Sequence, residues 1–205
     1  MGLNQDDERA PKAVFPGDWL LPGLAATVAI CIALAGAAGR EFLRYDRPAI
    51  GAGEFWRLLS GHFAHLGIPH LILNLTGLAL VWFLVADHLT RRQWLVIAVI
   101  TIAGIDVGFW LLQPQLVGYV GLSGLLHGLL AAGIVAGIGA GRVEPVVLAV
   151  ILAAKIIYEQ VAGSLPGSET TTGGAGIVAA HAYGAVAGAI AGGILRIRVR
   201  DRASL

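Results

Sequence analysis

Ser123 and His181 are the side chains in this sequence best suited to nucleophilic chemistry, and both sit in otherwise apolar runs. Ser123 lies between glycines in GLSG (Gly121 to Gly124), where Gly121 permits a tight turn and Gly124 leaves room for a second backbone. If a helix starts there, its free N–H groups point at whatever Ser123 attacks, a natural place for a developing oxyanion. His181, in AHAYGAVAG, is a candidate general base. Its helix carries Gly184, Gly188 and Gly192 on one small-residue face, while the helix after Ser123 carries Gly124, Gly128, Gly133 and Gly137, so the two can cross closely. HLILN places His70 and Asn74 at i and i+4 on one face, two donors able to hold an oxyanion or, equally, to glue helices together. GLSG also reads as simple close packing, and no single motif decides between these uses.

Other chemistries find less support. HExxH is absent, and the His62, His65 and His70 cluster has no carboxylate partner, so neither a metal nor another cofactor is expected. A paired-aspartate site needs two intramembrane aspartates, and Asp106 alone lies clearly within an apolar run. Cys31 is the only cysteine, which excludes disulfides and thiolate metal sites as scaffolding. The formal net charge of +1, with basic residues gathered only in the C-terminal RIRVRDR, gives no reason to expect nucleic acid.

The elements that must carry these residues are set by a bilayer. Of the 205 residues 57% are hydrophobic and 13% charged, with mean hydropathy +0.77, against about 25% charged in a soluble domain. A helix needs about 20 mainly apolar residues to span the hydrocarbon core. Six runs qualify: Trp19 to Ala38, Leu66 to Ala86, Trp94 to Leu112, Gly121 to Ala140, Pro145 to Ala162 and Gly176 to Leu195. The expectation is an all-α, six-helix membrane domain over residues 19–195, between a cytoplasmic segment, 1–18, and a basic cytoplasmic tail, 196–205. The first run is too long for a signal-peptide core and reads as a retained span. Placing both termini in the cytoplasm puts Arg9, Lys12, Arg91, Arg92, Arg142, Arg196, Arg198, Arg200 and Arg202 inside and only Arg40, Arg44, Arg47 and Arg57 outside, as the positive-inside rule favours.

In that orientation His70, Asn74, Asp106, Ser123, Lys155, Glu159 and His181 all fall in the outer half of the membrane. Polar side chains in spans are costly and normally face the bundle interior or water, so a wet cavity opening outward is expected. The loop from Gly39 to His65 places Trp56 and Arg57 as interfacial anchors, and the flexible GSLPGSETTTGGAG, Gly163 to Gly176, is placed to act as a lid. Trp82, Trp94 and Trp110 near span ends read as anchors or packing. Lys155 and Glu159, at i and i+4, either neutralise each other or recognise polar groups of a substrate. Asp106 is a candidate for the same recognition or for pairing with Lys155.

HxxxN, GxSG and HxxxGxxxG, in that order and preceded by the Trp-Arg pair of EFWRLLSGHFAHLGIPHLILNLTG, together resemble the rhomboid family of intramembrane serine proteases over about Glu54 to Gly192. The resemblance implies Ser123 as nucleophile, His181 as base in a dyad without a third acid, and His70, Asn74 and the Ser123 N–H as oxyanion hole. Where many rhomboids have a tyrosine four residues after the serine, this chain has His127. It either buttresses His181 or competes as base, since helical side chains lean toward the N-terminus. GLSGLLHGL, KIIYEQVAG and AHAYGAVAG are similar to the rhombosortase branch. That branch implies a bacterial inner-membrane endopeptidase with its site toward the periplasm. Its substrates would be exported proteins ending in Gly-Gly, an apolar transmembrane helix and a basic cluster, with the acyl group passed to water or an amine. Membrane lipid is its other expected partner. Two other classes stand beside it: a noncatalytic rhomboid-like binder of membrane clients, which would usually lack the serine or histidine, and a proton-coupled transporter, for which no inner half-pathway is visible.

Overall fold

The computed structural model describes residues 19–139, 142–174 and 176–203. The N-terminal segment 1–18, with Arg9 and Lys12, lies outside them, as do the side chains of the basic tail beyond Arg196. The chain is mostly helical. It runs through α1 (Leu20–Leu34), α2 (Gly36–Leu43), β1 (Tyr45–Asp46), α3 (Arg47–Gly51), α4 (Arg57–Ser60), α5 (Ile68–Val85) and a 3-10 turn (Ala86–His88). There follow α6 (Arg91–Leu112), β2 (Gly118–Tyr119), α7 (Ser123–Gly137), α8 (Glu144–Ala162), α9 (Ser168–Thr172) and α10 (Val178–Ala203). The two short strands pair antiparallel, Tyr45 opposite Tyr119.

Helix starts follow local chemistry. Thr90 and Gln93 form a reciprocal capping box at α6, and Pro69 and Pro145 sit in the first turns of α5 and α8, where a missing N–H costs nothing. Four helices among the described residues are long and apolar enough to cross a membrane: Ile68–His88, Arg91–Leu112, Glu144–Ala162 and Val178–Arg196. The first expected span differs from a single straight helix. Gly36, at φ 68°, breaks it after Leu34, and α2 leaves at 118° to α1; taken as one span, this pair makes a fifth.

The helix in the expected span Gly121 to Ala140, whose last residue lies outside the described ones, is shorter than that apolar run. α7 has 15 residues, about 22 Å at 1.5 Å per residue, against about 30 Å of hydrocarbon. It is also the most enclosed helix: Leu125, Leu126, Leu129, Ala132 and Ile134 are among its buried residues. α10 packs along most of it, with α5, α6 and α8 around the rest. A short helix held on all sides by longer ones can begin below their ends, which places Ser123 inside the bundle.

Two glycine faces allow this packing. A Cβ on Gly184 or Gly188 would run into the backbone carbonyl of Gly124 or Gly128, and one on Gly192 into that of Ala132. Gly133 and Gly137, expected on the same face, turn instead toward Val85 and the His88 ring. They bring α7 against the end of α5. Trp82 and Trp94 are buried and pack together with ring centroids 5.4 Å apart, so they are core residues. Trp110 is exposed and covered by the Arg47 guanidinium 4.4 Å from its ring.

The loop after α2 corrects one expectation. Trp56 is exposed and stacks on Phe42, as a surface anchor would. Arg57 is buried, pairs with Glu54 at 2.6 Å and donates to the carbonyls of Glu41 and Arg44. It ties the loop to itself, because a guanidinium's five fixed donors can satisfy several carbonyls at once.

Candidate active site

Ser123 opens α7 and His181 lies in the first turn of α10, and the interlocked glycines of these helices bring the two side chains together. Ser123 Oγ is 2.9 Å from His181 Nε2. On the other side of the imidazole, Nδ1 is 2.8 Å from Glu159 Oε2, and the second carboxylate oxygen, Oε1, accepts from Lys155 Nζ at 2.6 Å. A carboxylate can only accept, so the His181 proton sits on Nδ1 and the Nε2 lone pair faces the serine hydroxyl.

This differs from the expected dyad without a third acid. Lys155 and Glu159 do pair, but Glu159 is 4% exposed and spans from the lysine to the histidine. The i, i+4 spacing revealed the pair; the contact with His181 needed the tertiary arrangement of α8 and α10. The expected pairing of Asp106 with Lys155 does not form. Asp106 Oδ1 lies 3.2 Å from His62 Nε2 in the buried α6 interior, away from the cavity lining.

His127 lies one turn below Ser123. Its Nδ1 donates to the Ser123 carbonyl at 2.7 Å, and its ring stacks on that of His181 with centroids 4.2 Å apart and planes inclined at 14°. The serine hydroxyl is thus engaged by His181, and His127 supports the ring from its face.

His70 and Asn74 start α5 beside this pair, and both are buried. The Leu66 N–H donates to His70 Nδ1 at 3.3 Å, which leaves Nε2 as the protonated donor. A Cβ at Gly121 would lie 3.2 Å from that Nε2 and 3.8 Å from Ser123 Oγ. Gly121 has φ 134°, a conformation open to glycine and strained for other residues, so the space between His70 and Ser123 stays clear. Asn74 Nδ2 donates to the His70 carbonyl at 3.0 Å and keeps a second hydrogen.

Sequence reasoning missed the supports of this turn. Tyr119 is buried, donates to the Gly121 carbonyl at 2.5 Å and packs edge-on against His62. The Gly121 N–H donates to the Gly61 carbonyl at 3.2 Å. His65, before α5, meets His70 edge-on at 5.1 Å; burial and then the neighbouring His70 hold its pKa down to about 4, so it is neutral at ordinary pH. Only the GY pair just before GLSG could have hinted at this support.

Ser123, His127, His181, His70, Asn74, Lys155 and Glu159 all line one cavity of about 960 Å³. Leu73, Gly77 and Leu80 of α5 face Leu148, Ile151 and Leu152 of α8 across it, giving it a long apolar side. The segment from Gly163 contributes Ser164, Leu165, Ser168 and Thr172 to its rim. That segment contains α9, flanked by Gly167 and Gly173 in the left-handed region.

One ligand atom each from His127, Glu159 and His181 falls within 4.8 Å of the others, a spacing that could hold a metal ion. Both His181 nitrogens are already engaged, by Ser123 and Glu159. The arrangement as it stands sets a hydroxyl within hydrogen-bond distance of an imidazole nitrogen.

The model of the Rhomboid domain family matches residues 52–198, well over half of the chain. The chain belongs to the rhomboid family. Rhomboid proteins are generally intramembrane serine proteases, and with its apolar helices this one is a multi-pass membrane protein. Comparison with curated proteins finds no match. The rhomboid match spans every element that lines the cavity from α5 onward, including the serine and histidine turns.

Proposed function

We propose that this rhomboid protein is an intramembrane serine endopeptidase in which Ser123 is the nucleophile and His181 its base. The observation that carries the reading is the 2.9 Å contact between Ser123 Oγ and His181 Nε2. Ser123 Oγ attacks the scissile carbonyl carbon as its proton passes to Nε2, and the carbonyl π pair moves onto oxygen. His70 Nε2–H, the free Asn74 amide hydrogen and the Ser123 N–H, one of the unpaired donors of the α7 start, receive that oxyanion. Collapse breaks the C–N bond, and the proton on Nε2 goes to the leaving amine. Water or an amine then takes the acyl group from Ser123.

The substrate class in this reading is an exported protein ending in Gly-Gly, an apolar helix and a basic cluster, as for the rhombosortase branch. Support comes from His127 in place of the usual tyrosine, from the branch-like runs around Ser123, Glu159 and His181, and from the apolar cavity wall between α5 and α8. α1 with α2, α5, α6, α7, α8 and α10 supply the six crossings. Both termini are cytoplasmic in a bacterial inner membrane, and the cavity faces the periplasm. The test is cleavage, by purified protein in liposomes, of a transmembrane substrate with such a tail, with Ser123→Ala as control. Cuts at or next to Gly-Gly are expected; cleavage by the alanine variant, or equal cleavage of a tail without Gly-Gly, overturns the corresponding part. Orientation is tested separately in a Cys31→Ala background. Thr171→Cys should react with an impermeant thiol reagent from the periplasmic side and Arg91→Cys only after the membrane is broken, and the inverse pattern overturns it.

A further inference from the structure

We infer that Glu159, held by Lys155, is a positioning residue that fixes the orientation and protonation of His181, so that the site works as a serine, histidine and glutamate triad rather than a dyad. The inference rests on the protease reading and deepens it.

Three observations carry it. First, the bonds form one continuous line: Ser123 Oγ to His181 Nε2 at 2.9 Å, His181 Nδ1 to Glu159 Oε2 at 2.8 Å, and Glu159 Oε1 to Lys155 Nζ at 2.6 Å. Each carboxylate oxygen has one partner. Second, Glu159 is 4% exposed while the lysine side chain is 29% exposed. An ion pair present only for solubility would not bury its acid under the catalytic imidazole. Third, the order along α8 is lysine then glutamate, the less favourable orientation for an i, i+4 pair. Helix stabilisation alone is therefore a poor reason for the pair.

The lysine answers an electrostatic problem. A buried carboxylate needs a compensating charge, and an imidazole that is to accept the Ser123 proton starts without one. Lys155 supplies that charge. When Ser123 gives its proton to Nε2, the imidazolium shares the carboxylate with Lys155, and the new positive charge faces the developing oxyanion. No proton needs to move to Glu159; it keeps Nδ1–H in place throughout, as the acid of a soluble serine protease does. The other groups facing His181 are His127, stacked on its ring from α7, and His70 on the α5 side. Neither offers a carboxylate. Asp106, the acid of α6, is held by His62.

The test uses the purified full chain with Glu159→Gln, Glu159→Asp, Lys155→Met and the double variant Lys155→Met/Glu159→Gln. The double variant removes both charges, so it guards against unfolding caused by an unpaired lysine. Glu159→Gln should lower kcat on a transmembrane substrate by about 10² to 10⁴, with KM changed by less than about threefold, and Glu159→Asp should recover part of the loss. The double variant should be no slower than Glu159→Gln, because Lys155 acts through the carboxylate. Proton NMR should show a strongly deshielded His181 Nδ1–H that disappears in Glu159→Gln. A folded Glu159→Gln protein with wild-type kcat, a deshielded proton that persists in it, or fully multiplicative losses in the double variant would each overturn the triad. A wild type that labels at Ser123 with a fluorophosphonate, beside a glutamine variant labelling equally fast, sinks the triad alone. A folded wild type that neither labels nor cleaves sinks the protease reading as well.

Discussion

His127 lies flat against His181, with ring centroids 4.2 Å apart and planes inclined at 14°. A planar group at this position, four residues after the serine, covers one face of the His181 imidazole while its Nδ1–H is spent on the Ser123 carbonyl. The same geometry explains how a histidine can stand where many rhomboids carry a tyrosine.

His127→Ala should therefore lose activity by about tenfold and keep a measurable rate, and His127→Tyr should keep more than His127→Ala. His181→Ala should fall by the about 10² to 10⁴ expected for loss of a general base. Cleavage rates of folded variants check this. If His127→Ala is the more damaged of the two, His127 is the base.

Asn74→Ala is expected to lower kcat by about 10² to 10³ while changing KM little, because an oxyanion donor acts mainly in the transition state. Steady-state kinetics with a transmembrane substrate reads the split. A variant with lower thermal stability and unchanged kcat would make Asn74 a structural hydrogen bond, as its contact with the His70 carbonyl permits.

What the sequence could and could not reveal divides along the range of the interactions. Local patterns located the helices bearing Ser123, His181, His70 and Asn74, since apolar runs and i, i+4 spacings are written within single elements. The close approach of α7 and α10 was legible in Gly184, Gly188 and Gly192 for the same reason. The break at Gly36 and the start of the short α7 inside the bundle were not, because an apolar run looks the same whether it crosses, bends or starts inside a bundle. The bonds from Glu159 to His181 and from His62 to Asp106 join residues far apart in the chain. Their formation depends on how each helix is rotated, which hydropathy does not encode.

Gly188 offers a test of the packing that brings serine and histidine together. A Cβ there would press into the Gly128 carbonyl, and backbone cannot move aside as a side chain can. Gly188→Ala should destabilise the fold by about 1–3 kcal/mol and slow cleavage, since α7 and α10 would part. Gly23→Ala, where a Cβ meets nothing within 4 Å, should be neutral or slightly stabilising. Thermal denaturation of the two variants in the same detergent measures the contrast; equal shifts would contradict the close-packed interface.

The most direct test of the central claim is covalent labelling by a fluorophosphonate probe, followed by peptide mapping of the adduct. Wild-type protein should label on Ser123, Ser123→Ala should not label, and folded His181→Ala should label far more slowly because the hydroxyl has lost the acceptor 2.9 Å away. Undiminished labelling of Ser123→Ala, or an adduct mapped to another residue, would contradict the assignment of Ser123 and His181 as the reacting pair.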